Sequence, residues 1–389
     1  MNLDIYGVYI AQLIQCAISG EKPPTVTDEI NTEVLLKIID IHRITNLVYK
    51  PLAELGINDE NTNMEHSLAI ALDANQQYIW QELKDNFESN KIRFVGMKGI
   101  VLKSLYPSSD MRTASDLDIF VDDENTDRVK EIMEEIGFQT ERFSHKMQDD
   151  SYRLGKLVHI EIHRKLISNK CPWDEKCQDI IERIFPKSEG SYEHVMSNED
   201  FYLHMIGHMA KHMKYSGFGI RMIVDAWLYL NKYGTKMDNT ILNKRLAYCG
   251  LYKFNEQVLK LIDYWFNGKS ADESTAQLAR YVVSSGIFGN SEQFFATEVA
   301  RNSGKTRNKK LGKIIRIVNE FFLPYGRMCL IYPKLEKRSF MLPIYWFMRG
   351  IRILGKGKNH LAEFNSQYDK VDMELATDIY EFKKGLGLE

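Results

Sequence analysis

The chain has 389 residues, is 44% hydrophobic and 27% charged, and carries a formal net charge of -2. That length divides naturally into two or three domains, and the composition is that of an ordinary globular protein, which excludes a disordered or collagen-like chain. The five cysteines (Cys16, Cys171, Cys177, Cys249, Cys329) form no CxxC pair, which argues against a zinc ribbon or disulfide framework and for a reducing, cytoplasmic setting.

The opening "MNLDIYGVYIAQLIQCAISG" has no basic leader and carries Asp4, and no apolar run reaches membrane-spanning length. Neither export nor integral membrane association is expected. Residues 1–90 read as an N-terminal helical region, because apolar residues recur at three and four spacing in "IYGVYIAQLIQCAI", "EINTEVLLKIIDIHRITNLVYKPLAEL" and "MEHSLAIALDANQQYIWQELKDNFESN". "GEKPPT" and "GINDENTN" are the breaks.

The period changes over residues 91–171. "IRFVGMK" and "SDLDIFV" read as strands, a short helix is expected from about Ile100 to Leu105, and "NTDRVKEIMEEIGF" as a helix; two or three further strands end in "LVHIEIH". Residues 172–389 return to helical spacing as a C-terminal helical domain. The expected fold class is therefore a helix-rich, mixed α+β protein, with a small α/β core carried between two helical regions.

Charge is unevenly spread. Residues 301–358 hold fifteen Lys or Arg against Glu320 and Glu336, a balance of +13 that leaves -15 for the remainder. Such a basic segment suits an anionic partner, or is a solvated helix face.

Asp116 and Asp118 are the chemical anomaly. Strand alternation sets both on one face, with Leu117, Ile119 and Val121 on the other. In "VHIEIHRKL" the same alternation sets Glu161 with His159 and His163, opposite Val158, Ile160 and Ile162. If the two strands are neighbours, three carboxylates converge, and their repulsion calls for a divalent cation or protons. Oxygen ligands of this kind suit Mg²⁺ or Mn²⁺. Upstream, Lys98-Gly99 at a strand-to-helix turn supplies an ammonium and backbone N–H groups suited to phosphate.

This arrangement resembles the nucleotidyltransferase superfamily of the DNA polymerase β type, and within it a large bacterial group of uncharacterised nucleotidyltransferases. The likeness rests on "KG…L…YP…R…SDLDI.V" with a later acid-x-His strand, here Glu161-Ile162-His163. It extends into "HMAKHM…GIRMIVDAWLYL" and "YPKLEKRSFMLPIYWFMRG". What it implies is a polymerase β-like core in which Asp116, Asp118 and Glu161 are the catalytic metal ligands. Lys98, Gly99, Arg112 and Ser115 would surround a nucleoside triphosphate. The implied reaction transfers a nucleoside monophosphate from the triphosphate to an acceptor hydroxyl, with pyrophosphate released. The acceptor is a small molecule, a peptide product or RNA; the alternative is a non-catalytic nucleotide-binding or scaffold module on the same fold. The chain has Gly99-Ile100 where many members have Gly-Gly or Gly-Ser.

In "EDFYLHMIGHMAKHMKY", His204, His208 and His212 form one helical stripe, with Arg221 and Asp225 on the next helix. They read as packed, hydrogen-bonded histidines, or with His208, His212 and Asp225 lining the cleft, or as a separate zinc site. "NSGKT" imitates a Walker loop but has Val299 where the first glycine is needed. "LPIYWFMRGIRILGKGK" reads as the buried face of a terminal helix, with a membrane-surface or base-stacking role open.

Overall fold

The computed structural model describes residues 2–145, 147–166, 171–287, 289, 291–303, 314–315, 318–319, 321–356, 366 and 368–388. Four helices come first: α1 (Leu3–Ser19), α2 (Thr32–Ile41), α3 (Thr45–Glu54) and α4 (Glu60–Ser89). Local chemistry sets their ends. The Asn2 side chain caps α1, and Asp59 and Thr62 form a reciprocal capping box at the start of α4.

The chain then builds a five-stranded sheet from β1 (Phe94–Gly96), β2 (Leu117–Val121), β3 (Gln139–Arg142), β4 (Asp149–Leu154) and β5 (Val158–His163), in the order β1-β2-β5-β4-β3. Helix α5 (Gly99–Leu102) follows β1, and α6 (Thr126–Glu135) crosses between β2 and β3. β2 and β5 run parallel, with Asp118 opposite Glu161; the other pairs are antiparallel. The helix expected from about Ile100 to Leu105 is a single α turn followed by a 3₁₀ turn at Lys103–Leu105. Lys103 fastens that turn to α4 through a buried ion pair with Asp73.

Helices then dominate: α7 (Pro172–Lys176), α8 (Asn198–Tyr215), α9 (Ile220–Tyr233), α10 (Asn239–Cys249), α11 (Tyr252–Phe266), α12 (Glu273–Ser285) and α13 (Ser291–Ser303). Three more are Tyr325–Ile331, Leu342–Lys356 and Met373–Gly385. The protein is a helix-rich α+β fold.

Two apolar cores hold it together. One face of the sheet, with Leu117, Ile119, Val121, Val158, Ile160 and Ile162, packs against Leu83 and Phe87 of α4 and Val129 and Ile132 of α6. On the opposite face Val95, Met97 and Phe120 join a larger core shared by helices from both ends of the chain, from Tyr6 to Leu388. The sheet is thus covered on both sides, and polar side chains on its second face sit in a cleft rather than on an open surface.

Cys177 and Cys249 form a pair with Cα atoms 6.5 Å apart, 72 positions apart in sequence. This corrects the expectation drawn from cysteine spacing, which carries no information on contacts between distant helices. Among the described residues no helix is long and apolar enough to cross a membrane. Residues 304–313 of the basic segment, with most of the "SGKT" stretch, lie outside the described residues.

Candidate active site

The parallel pairing of β2 with β5 builds the site. Val158, Ile160 and Ile162 are drawn into the sheet core, and the period of two turns His159, Glu161 and His163 to the other face. Asp118 faces the same way from β2, and Asp116 stands just before that strand. Ligand atoms of Asp118, Glu161 and His163 lie within 4.8 Å of one another, as do those of Asp116, His159 and Glu161. Glu161 is common to both groups. All three carboxylates expected from the sequence therefore come together, with two histidines beside them.

Asp118 is buried, and a lysine and a histidine already address it. Lys98 Nζ donates to Asp118 Oδ1 at 2.6 Å, and His163 Nε2 lies 2.8 Å from the same oxygen. Burial by itself would raise the Asp118 carboxyl, but Lys98 and His163 outweigh it and hold the group well below the usual carboxylate range. Burial likewise works against the Lys98 charge, and Asp118 more than offsets it, so the ammonium is retained. Lys98 has φ 42° and ψ -112°, in a region that a side chain rarely occupies. Strain at the β1–α5 turn is what swings this side chain over the acids.

Beneath that turn lies a second buried ion pair. Arg112 donates through Nε to Asp225 Oδ1 at 3.0 Å and through Nη2 to Asp225 Oδ2 at 2.8 Å, and Tyr106 adds a hydroxyl donor at 2.7 Å. The remaining nitrogen, Nη1, sits 2.8 Å from where a Cβ on Gly99 would be. Any larger residue at Gly99 would collide with the guanidinium. Ser115 hydrogen-bonds Asp116 at 3.1 Å.

A cavity of about 260 Å³ is lined by Lys98, Gly99, Arg112, Ser115, Asp116, Asp118, Glu161, His208, His212 and Arg221. Every residue expected at the triphosphate or metal borders it, together with two of the three expected cleft residues. The third, Asp225, lies behind the wall, beneath Arg112. Because α5 is one turn long, its dipole is small, and the positive side of the cavity is side-chain charge from Lys98, Arg112, Lys211 and Arg221. Burial, then the neighbouring Arg112, lowers the Arg221 guanidinium to about 10. Two arginines held against each other in this way are better satisfied by an anion.

A larger cavity of about 750 Å³ adjoins the acids on their other side and shares Lys98, Glu161 and His208. Its wall combines Trp173, Leu330 and Ile331 with Arg142, Lys165 and Arg327.

The histidine stripe is a neutral wall, buried at His204 and half-buried at His208 and His212. Burial brings His204 down to about 4 and His212 to about 3, and pushes His208 well below its ordinary value. His208 and His212 face each other, Nε2 to Nε2, at 3.2 Å, so one donates and the other accepts. Among the described residues neither group of potential metal ligands includes this stripe.

The family model of the uncharacterised nucleotidyltransferases matches residues 28–267. The chain belongs to this nucleotidyltransferase family. The match takes in the whole sheet, the acids and the histidine stripe. No curated protein and no solved structure matches the chain.

His163 and Arg221 join the expected residues at the site. His163 shares its strand face with Glu161, so the period of two was the signal that pointed to it. Arg221, next to the histidine stripe in the sequence, is held at the cavity by donating to Thr113 O at 2.6 Å.

Proposed function

We propose that this nucleotidyltransferase moves a nucleoside monophosphate from a triphosphate to an acceptor hydroxyl and releases pyrophosphate. The observation that carries the reading is the register of β2 on β5, which sets Asp118 against Glu161 with Asp116 in reach.

The donor set fits a hard divalent ion: Glu161 lies within ligand distance of Asp118 on one side and of Asp116 on the other, with Lys98 beside them free to turn to phosphate. Asp116, Asp118 and Glu161 would hold Mg²⁺ or Mn²⁺. When bound, the ion neutralises the triphosphate and sharpens the electrophilicity of its α-phosphorus. Lys98, Arg112 and Arg221 balance the remaining charge on the β- and γ-phosphates, and Gly99 leaves room for them to approach. The acceptor enters from the larger cavity, where Trp173 and Leu330 supply apolar contact and Arg142 and Arg327 supply charge. As the acceptor oxygen bonds to the α-phosphorus, Glu161 takes its proton, and the bond to the bridging oxygen breaks with its electron pair leaving on pyrophosphate. The neutral histidine wall at His208 and His212 adds no charge to compete with the arginines.

A second reading, a nucleotide-binding or scaffold module without turnover, draws on Lys98, whose ammonium already pairs with Asp118 without a metal, and on the hydrogen bond between His163 and the same oxygen. The two part in one assay. The protein is incubated with Mg²⁺ or Mn²⁺ and each α-labelled nucleoside triphosphate, beside an Asp116→Ala/Asp118→Ala variant, with cell-extract RNA, protein and small molecules as acceptors. Label transfer lost in the variant is expected. Nucleotide binding without transfer would favour the module, and neither binding nor transfer would sink both.

A further inference from the structure

The helix Leu342–Lys356 is apolar on two sides. Its inner stripe, Leu342, Tyr345 and Trp346, covers a small separate core of Met328, Cys329 and Leu335. Trp346 Nε1 donates to Leu323 O at 2.9 Å, which locks that side in place. The outer stripe runs from the preceding turn along the helix as Phe340, Ile344, Phe347, Met348 and Ile351, all exposed; Phe340 keeps 80% and Phe347 71% of its surface in solvent. The spacing of four, three, one and three places these five on one face. Ile314, Ile315, Val318 and Phe322 are exposed as well. An apolar face of this extent on a helix whose other side is already packed calls for cover.

The flanking charge says what kind. Lys334, Lys337 and Arg338 precede the stripe and Arg352 ends it, all four exposed, within a segment whose balance is +13. We propose that this face docks on an anionic lipid bilayer surface, with the aromatic and aliphatic side chains entering the interface and the Lys and Arg heads meeting lipid phosphates. A second copy of the chain is a poorer fit, because a two-fold contact would bring two such basic segments together. Single-stranded nucleic acid fits less well too, since three of the five stripe residues are aliphatic and offer no stacking surface. The unit is joined to the nucleotidyltransferase core by a hydrogen bond from Ser144 to Glu336. Docking would therefore bring the active-site cleft to the membrane surface. The proposal does not depend on which acceptor the enzyme uses, or on turnover.

The test is co-sedimentation of the full-length protein with vesicles of phosphatidylcholine alone and of phosphatidylcholine mixed with phosphatidylglycerol, across a salt series. The expected result is pelleting with the anionic vesicles that weakens as salt rises. Phe340→Ser/Phe347→Ser should lose at least about tenfold in partitioning, and Arg338→Glu/Arg352→Glu should lose a similar amount on anionic vesicles only. Because these side chains are exposed, circular dichroism melts of the variants should match the wild type. Wild-type protein that stays in the supernatant with every vesicle overturns the proposal, as does pelleting unchanged in the Phe variant. A dimer, seen by light scattering, that Phe347→Ser dissociates would also overturn it in favour of self-association. RNA binding lost in the same variant, without vesicle binding, would overturn it in favour of nucleic acid.

Discussion

Lys98 Nζ and His163 Nε2 converge on a single oxygen of Asp118, at 2.6 and 2.8 Å. The ammonium thus occupies the electrostatic role that a divalent ion would take over. Removing it as Lys98→Met should cost on the order of 2–3 kcal/mol of stability in metal-free protein. That is below the full cost of breaking a buried pair, because the Lys98 side chain keeps 23% of its surface exposed. Added Mn²⁺ should then raise the melting temperature of the variant more than that of the wild type. Equal shifts in the two proteins would show that Lys98 and the ion do not share Asp118.

Glu161 is common to both carboxylate–histidine groups, and its side chain is only partly buried. Glu161→Gln keeps the shape and removes the proton acceptor. Turnover should fall by about 10²–10⁴-fold, while triphosphate binding measured by fluorescence titration without divalent ion changes little. Retained turnover would move the base to another group.

Asp225 acts through Arg112. Replacing it with Asn leaves a buried guanidinium without its counter-charge, at a cost of roughly 3 kcal/mol, and frees Arg112 to tilt toward Gly99. A raised KM for the triphosphate is expected with a much smaller change in kcat, read from steady-state kinetics. A fall in kcat alone would place Arg112 away from the phosphates.

His42 borders the same cavity as the acids and supplies a separate pH signature. It is wholly buried; its Nδ1 accepts from the Ile220 N–H at 3.2 Å and its Nε2–H donates to Val283 O at 3.0 Å, so the ring is neutral. Burial lowers it from 6.5 to about 4. Between those values the unfolded chain binds the proton and the folded chain does not, so stability falls as pH drops, by roughly 3 kcal/mol for this residue over the full window. In His42→Gln, denaturant titrations from pH 7 to 4 should show a slope shallower by about one proton. An unchanged slope would mean that His42 protonates without unfolding.

Much of this was legible because the sheet imposes a period. Alternation along "VHIEIH" was enough to separate Glu161 and both histidines from the apolar partners, and "SDLDIFV" did the same for Asp118. The sequence could not show which cation meets which acid. Arg112 and Asp225 stand 113 residues apart and Lys98 and Asp118 stand 20 apart, and pairings at such distances are settled by packing between elements rather than by local pattern. The same holds for Cys177 and Cys249. "LPIYWFMRGIRIL" was half legible: Tyr345 and Trp346 are turned inward as a buried face requires, yet Phe347 is not. Periodicity marks apolar faces but not how many of them the fold will cover.

The parallel seam between β2 and β5 has a consequence for biosynthesis. Both aspartates leave the ribosome some forty residues before Glu161, and two further strands must be laid down before β5 can slot in beside β2. A nascent or truncated chain ending before Val158 would hold an orphaned pair of acids facing Lys98 alone. The meeting of Asp118 with Glu161 is thus a late product of assembly, completed only when β5 pairs with β2.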